Sequence, residues 1–171
     1  MGPAIALKAV AGRHFSLMVF GFSQVAMDLE PLVRILRDDD VLHGFTHTYL
    51  GATLIALASL FVGRPVCQYF LNSWKPDSRS RLLNGLRGPE RISWRAAIAG
   101  AFVGTYSHVV LDSIMHYDMR PFAPLSQANS LLHVLSVSGL HMLCVLSGAL
   151  GVVILLAAFF VRRGVSPDVK Q

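Results

Sequence analysis

The feature that most constrains this chain is a series of four apolar stretches, at residues 15–27, 49–62, 96–115 and 131–161. A helix needs about 20 predominantly apolar residues to cross a bilayer. The chain is 53% hydrophobic and only 15% charged, whereas a soluble domain carries about a quarter charged residues. The pattern predicts an all-α, polytopic integral membrane protein with about four transmembrane helices, and residues 1–171 form a single helical membrane domain.

The ends of these helices are predicted from the residues that interrupt them. The first stretch covers only roughly 20 Å of helix, so we expect it to extend upstream into residues 4–14 and to end near Pro31, which cannot continue a helix freely. We expect the second to end or bend at Arg64 and Pro65. Residues 64–95 are predicted to form a basic cytoplasmic loop, and residues 164–171 a short polar tail.

Basic residues are distributed unevenly between the segments that join the four stretches. If the N-terminus is cytoplasmic, twelve of the 15 Lys and Arg residues fall on the cytoplasmic side, and only Arg34, Arg37 and Arg120 fall outside. The positive-inside rule therefore predicts that both termini are cytoplasmic. Anionic lipid head groups also explain the net charge of +5 without nucleic acid, since they attract cations next to the membrane. Membrane lipid is the expected partner, and the oligomeric state is left open.

Three ionisable residues are spaced at helical intervals within the third stretch. His108, Asp112 and His116 follow one another at i, i+4 and i+8, which places them on one face of a helix. Ionisable groups inside a membrane segment are costly and usually mark a site. Imidazole and carboxylate are ligands for zinc and other divalent metals. The spacing therefore predicts a binding site for a divalent metal ion, with zinc the first candidate.

The predicted topology brings further ligand-type residues to the same, outer side of the membrane. Asp28 and Glu30 end the first span, and His43 and His47 precede the second. Because the orientation was derived from Lys and Arg alone, the grouping of these acids and histidines with His108 and Asp112 is an independent observation. It predicts one polar site within or just above the outer leaflet.

Two short motifs, GFTHT at residues 44–48 and SHVVLD at residues 107–112, give the chain a recognisable pattern together with the acidic pair Asp28 and Glu30. The pattern resembles a bacterial family of membrane-bound metal-dependent hydrolases, inner-membrane proteins that include a LexA-regulated member. The family pattern is, loosely, P-D-x-D, then H-R-G-x-T-H-S, then S-H-x-x-x-D. The resemblance covers roughly residues 15–125 and implies a metal-dependent hydrolase in the bacterial inner membrane.

The resemblance assigns family metal positions to Asp28, Glu30, His47, His108 and Asp112. Ligation is expected first from His47, His108 and Asp112. Asp28 and Glu30 are expected to complete the ligand set, to bridge to a second metal, or to act as catalytic general base. His43 stands where the family has Arg, and it and His116 are additional candidates, with His116 equally suited to binding substrate. The chain departs from the pattern at Ala26 and Met27, which replace the family proline, and at Glu30, which replaces an aspartate.

Three functions remain open from the sequence. The first is hydrolysis of an ester or phosphoester at the outer side of the membrane, with lipid a natural substrate. The second is a metal-binding transporter or sensor in which the same ligands hold an ion. The third is a structural membrane protein whose polar cluster fixes helix packing. Neither the substrate nor the identity of the metal follows from the residues.

Overall fold

The computed structural model describes residues 2–73 and 91–164, and every regular element within these ranges is helical. The helices are α1 (Gly2–Ala11), α2 (Leu17–Leu36), α3 (Tyr49–Ser73), α4 (Trp94–Met115) and α5 (Val137–Gly164). Two short 3₁₀ turns, Gly12–His14 and Phe45–His47, precede α2 and α3. Four cations of the predicted basic loop lie outside the described residues, namely Lys75, Arg79, Arg81 and Arg87.

Three of the helices are long and apolar enough to cross a membrane: Tyr49–Ser73, Trp94–Met115 and Val137–Val161 of α5. Helix α2 has 20 residues, a length of about 30 Å, but it carries the charged residues Asp28, Glu30 and Arg34. The prediction of an all-α polytopic membrane protein is confirmed. Of the four predicted spans, α2 is the one whose charges set it apart from the other three.

Both ends of the first predicted span are wrong. It does not extend upstream, because Gly12 adopts a left-handed conformation with φ of 53° and separates α1 from α2. Ser16 then caps α2 by accepting a hydrogen bond from the Val19 backbone N–H at 3.3 Å. The helix also continues through Pro31 to Leu36. An ion pair between Glu30 and Arg34, at 2.9 Å, joins the turns on either side of the proline.

The second predicted span is longer than expected. Arg64 and Pro65 do not end α3, which continues to Ser73 after a π-helical turn at Ser59–Gly63. Pro65 has no N–H to donate to the preceding turn, and the π-helical turn lies where that bond would fall. The predicted loop at residues 64–95 is therefore too long at both ends, since Arg64–Ser73 and residues 94–95 are helical.

Helices α2, α3 and α4 form the bundle that positions the site. Helices α2 and α4 run parallel and lie very close, since a Cβ at Gly104 would overlap the Ser23 hydroxyl and lie 3.2 Å from the Phe20 carbonyl oxygen. Helix α3 runs in the opposite direction and packs against both. Near the end of the bundle where α4 finishes, the buried side chains of Met27, Ala52, Val109 and Met119 form one apolar cluster.

Helix α1 lies outside this bundle, along α5. Gly2 contacts α5 so closely that a Cβ built on it would overlap the Cys144 carbonyl. A Cβ built on Gly151 of α5 would likewise overlap the backbone of α1. Only 11% of the most apolar part of α5 is buried within the chain. Because lipid replaces protein around an apolar membrane helix, α5 is suited to lie at the edge of the fold. It begins at Val137 rather than at the predicted residue 131.

Candidate metal centre

Five acidic and histidine side chains from three parts of the chain converge near the end of α4. Asp28 is on α2, His43 and His47 are on the connection into α3, and His108 and Asp112 are on α4. We call this group the central cluster. The Nε2 atoms of His108, His47 and His43 lie 3.1, 3.5 and 3.9 Å from Asp112 Oδ2. An Asp28 carboxylate oxygen lies 3.2 Å from His108 Nε2. The structure thus brings together four residues assigned from the sequence and one additional candidate, His43.

The ring orientation of His108 is set by a glutamine of α2. Its Nδ1 lies 3.0 Å from Gln24 Oε1, and the Gln24 amide nitrogen donates to the Gly104 carbonyl at 2.6 Å. Because the amide nitrogen is engaged by that carbonyl, the amide oxygen faces the imidazole and accepts from Nδ1–H. The neutral ring then carries its proton on Nδ1, and the lone pair of Nε2 points at Asp28 and Asp112.

Two further contacts give His43 and His47 the same orientation. His43 Nδ1 lies 2.9 and 3.0 Å from the two oxygens of Asp118, which accept its N–H. His47 Nδ1 lies 3.1 Å from Thr46 Oγ1. The Thr46 hydroxyl donates to Glu30 at 2.6 Å, so its oxygen is left to accept from His47. All three histidines therefore turn Nε2 to the centre of the cluster, and in the neutral form of each ring the proton is on Nδ1.

Two of these Nε2 atoms have no hydrogen-bond partner among the described residues. His47 Nε2 and His108 Nε2 are buried and make no hydrogen bond within the part of the chain that the structure describes. A buried polar atom without a partner is costly. Ligand atoms of Asp28, His47 and His108 lie within 4.8 Å of one another, as do those of His43, His47 and Asp112. Metal-binding histidines characteristically donate their other ring N–H to a carboxylate or carbonyl, so the donors and their surroundings fit a divalent cation.

Glu30 does not belong to the central cluster. Its carboxylate accepts hydrogen bonds from the backbone N–H groups of Phe45 and Thr46, at 3.2 and 2.7 Å, as well as from the Thr46 hydroxyl. A Cβ at residue 44 would overlap the Glu30 carboxylate, so the connection approaches Glu30 very closely at Gly44. Glu30, to which a catalytic role was assigned from the sequence, therefore positions the segment that carries His47.

His116 departs from the helical stack predicted for it. Helix α4 ends at Met115, and His116 is extended, with φ of −113° and ψ of 128°. Its ring packs on that of His43 with centroids 4.4 Å apart. With His43 and Asp118 it forms a further group whose ligand atoms lie within 4.8 Å of one another. His116 thus lies beside the central cluster and does not continue the α4 face.

Asp118 and Gln24 contact the site but were not assigned to it from the sequence. Asp118 also accepts from the backbone N–H groups of Leu42 and His43, at 2.9 and 3.0 Å. Burial raises the pKa of this carboxyl, but the hydrogen bonds from His43 and Leu42 outweigh it and hold the pKa below its usual value. Asp118 follows the end of α4, where helical spacing gives no signal. Gln24 could have been noticed from the sequence, because it is a polar residue within an apolar stretch.

The fold and the site together define a class: a polytopic helical membrane protein with histidine and aspartate ligand atoms gathered at one end of its helices. A family model described as YdjM inner membrane protein matches residues 14–166. The chain therefore belongs to the YdjM inner membrane protein family, and the family resemblance carried by GFTHT and SHVVLD is confirmed. No curated protein and no solved structure matches the chain significantly. It is an inner membrane protein.

Proposed function

We propose that this protein is a membrane-bound, metal-dependent hydrolase that cleaves an ester or phosphoester bond at the outer side of the inner membrane. One observation carries the proposal. Three imidazoles direct Nε2 toward Asp112, and each has its Nδ1 paired with a fixed partner, which is Asp118, Thr46 or Gln24. This arrangement orients three nitrogen donors in advance, on side chains that are only 1% to 9% exposed.

The ligands that fit best are His47, His108 and Asp112, and His43 is the next nearest nitrogen donor. Nitrogen and carboxylate oxygen suit zinc better than magnesium or calcium, which take mainly oxygen. A zinc ion held there would lower the pKa of a water molecule to about 7 and polarise the bond to be cleaved. The buried histidines keep competing water away, since the His47 and His108 side chains are only 1% and 9% exposed.

Asp28 is the residue best placed to act as general base. Its side chain is 62% exposed, although one of its oxygens lies 3.2 Å from His108 Nε2. It therefore borders both the ligand atoms and the space from which substrate and water arrive. A carboxylate in that position accepts the proton of an attacking water. Glu30 supports the same step indirectly, because it fixes the backbone that carries Thr46 and His47.

The test is metal content and turnover of the purified protein in detergent. We expect bound zinc, and hydrolysis of a water-soluble chromogenic phosphodiester or carboxylic ester that stops when a chelator removes the metal. Asp28→Asn should retain the metal and lose turnover, while Asp39→Asn, in the connection after α2, should leave both unchanged. Bound metal with no turnover of either substrate class would favour a transporter or sensor. Absence of bound metal would favour a structural role.

A further inference from the structure

We propose that the central cluster opens sideways into the bilayer past Asp28, and that the acyl chain of a membrane lipid lies along the exposed apolar face of α2. The ester or phosphoester group of that lipid would then reach the cluster from within the membrane. This inference rests on the proposed function and specifies the source of its substrate. It follows from three observations: the segments that cover the cluster, the exposure of Asp28, and the apolar surface of α2 around Asp28.

The end of the bundle nearest the cluster is covered by two connecting segments that bind to each other. Asp118 accepts the backbone N–H groups of Leu42 and His43, and the Tyr49 N–H donates to the Pro121 carbonyl at 2.8 Å. Between these contacts Met119 is buried, with 1% of its surface exposed. The segments therefore form a cap over that end of the cluster.

Exposure within the central cluster is confined to one member. The side chains of His43, His47, His108 and Asp112 are between 1% and 14% exposed, whereas that of Asp28 is 62% exposed. Asp28 lies on α2, on the side of the bundle, where the cap borders it at His47 but leaves its side chain exposed. The cluster can therefore be reached past Asp28 and along the surface of α2.

The surface of α2 around Asp28 is apolar. Residues three or four positions apart lie on one helix face, and the neighbours of Asp28 on its face are Val25 and Leu32, followed by Leu29 and Leu36 at its edge. These side chains are 62%, 51%, 55% and 78% exposed, respectively. Apolar residues flank Asp28 in both directions along the axis. An acyl chain would be held by this surface, whereas a small water-soluble substrate would gain nothing from it.

The first experiment measures access to Asp28 without using catalysis. Asp28→Cys is made in a background with Cys67→Ala and Cys144→Ala and is reconstituted into vesicles of phosphatidylethanolamine and phosphatidylglycerol. Asp40→Cys, exposed in the connection after α2, is the matched control. We expect Asp28→Cys to react with a membrane-soluble maleimide and to be protected from a charged, impermeant thiol reagent. Asp40→Cys should react readily with the charged reagent.

Equal labelling of the two variants by the charged reagent would overturn the lateral opening. Disulfide-linked dimers of Asp28→Cys would also overturn it, because a second copy of the chain would then cover this face. Neither result depends on turnover, so both are distinguishable from failure of the proposed hydrolase activity. Loss of turnover in a protein whose Asp28→Cys variant shows the expected labelling would count against the hydrolase proposal alone.

The second experiment compares two sources of substrate. Leu32→Gln should raise KM for phospholipid presented in vesicles and leave kcat/KM for a small, uncharged, water-soluble chromogenic carboxylic ester unchanged, because only the phospholipid has an acyl chain that contacts the apolar face. Leu54→Gln, at an exposed leucine of α3, is the control and should change neither. An equal effect of Leu32→Gln on both substrates, or no effect on the vesicle substrate, would refute the acyl-chain contact.

Discussion

Single residues in this protein act through short chains of hydrogen bonds. Glu30 accepts a hydrogen bond from the Thr46 hydroxyl, and the Thr46 oxygen in turn accepts one from Nδ1–H of His47. The tautomer and ring angle of His47 therefore depend on a residue that cannot itself reach the cluster centre. Residues of this kind are often as important for metal affinity as the ligands they hold.

Thr46→Val tests this chain, because valine keeps the shape of threonine and removes the hydroxyl. We expect the affinity for zinc to fall about 10- to 100-fold, measured by competition with a chelating dye, with the protein still inserted in the membrane. Thr46→Ser should restore most of the affinity. Thr53→Val, which removes a hydroxyl that bonds to Tyr49 and Tyr106 instead, should leave it unchanged. Equal affinity in Thr46→Val and the parent protein would contradict this role.

His108 and Asp112 are expected to be indispensable for binding the metal. Each is close to several other donors, so removal of either leaves too few ligands around one ion. We predict that His108→Ala and Asp112→Ala each abolish zinc binding, measured as metal per protein by mass spectrometry, and that both variants remain in the membrane. Asp40→Ala, in the acidic triplet after α2, should bind zinc fully. Full occupancy in both His108→Ala and Asp112→Ala would refute the site.

What the sequence could predict at this scale was limited to local spacing and motifs. The i, i+4 spacing of His108 and Asp112 places both side chains on the α4 face that meets Asp28 and His47. The partners of the histidine Nδ1 atoms did not follow from spacing. Gln24 reaches His108 across two parallel helices, and Asp118 reaches His43 after α4 has ended. Such contacts depend on tertiary packing.

At the scale of whole elements, close approach of α2 and α4 is what places Asp28 next to His108. The two helices meet through Gly100 and Gly104, at positions where a Cβ would overlap the backbone or side chains of α2. Gln24 spans the same contact by donating to the Gly104 carbonyl. The distance between the helices thus controls both the stability of the bundle and the geometry of the cluster.

Gly104→Val should separate these helices. We expect a destabilisation of about 1–3 kcal/mol from overpacking, seen as a lower midpoint of thermal unfolding in detergent, together with weaker zinc binding because Asp28 and Gln24 move away from His108. Val103→Leu changes the adjacent, partly exposed position and should alter neither quantity. Unchanged unfolding and unchanged zinc binding in Gly104→Val would show that the helices do not depend on this contact.

Helix ends were harder to predict than helix cores. The apolar stretches correctly marked α3, α4 and α5, but four of the predicted ends were wrong, at residues 12, 31, 65 and 131. Gly12 separates two helices where continuation was expected. Pro31 lies inside a helix that it was expected to end, and Pro65 inside one that it was expected to end or bend. The π-helical turn before Pro65 has no sequence signal.

For the molecule as a whole, the central cluster joins α2, the connection into α3, and α4. A ligand that binds the folded state alone stabilises it, by about 2.7 kcal/mol at a free concentration 100 times Kd. We therefore expect zinc to raise the midpoint of thermal unfolding of the parent protein and chelator to lower it. Asp112→Ala should unfold at a midpoint that zinc does not change. A zinc effect of equal size in that variant would indicate binding elsewhere.

The orientation in the membrane determines which compartment the central cluster faces. The described cations near the cluster end are Arg34, Arg37 and Arg120, whereas Lys8, Arg13, Arg91 and Arg95 lie near the opposite ends of the helices. From the start of α4 at Trp94, His108 and Asp112 are roughly 21 and 27 Å along the axis. Both residues therefore fall in the half of the membrane farther from most of the cations, and the positive-inside rule predicts that this is the outer half.

The positive-inside rule therefore predicts that the C-terminus and residues 12–16, which precede α2, are cytoplasmic and that the connection between α2 and α3 is outside. Alkaline phosphatase, which folds only outside the cytoplasm, should be active when inserted after Asp40 and inactive when fused to Gln171. A fluorescent protein that folds only in the cytoplasm should give the opposite pattern at the same two positions. Replacing Arg91 and Arg95 by Gln should weaken the preference without reversing it, because most of the cations remain. Active alkaline phosphatase at Gln171 would reverse the orientation and place the central cluster on the cytoplasmic side.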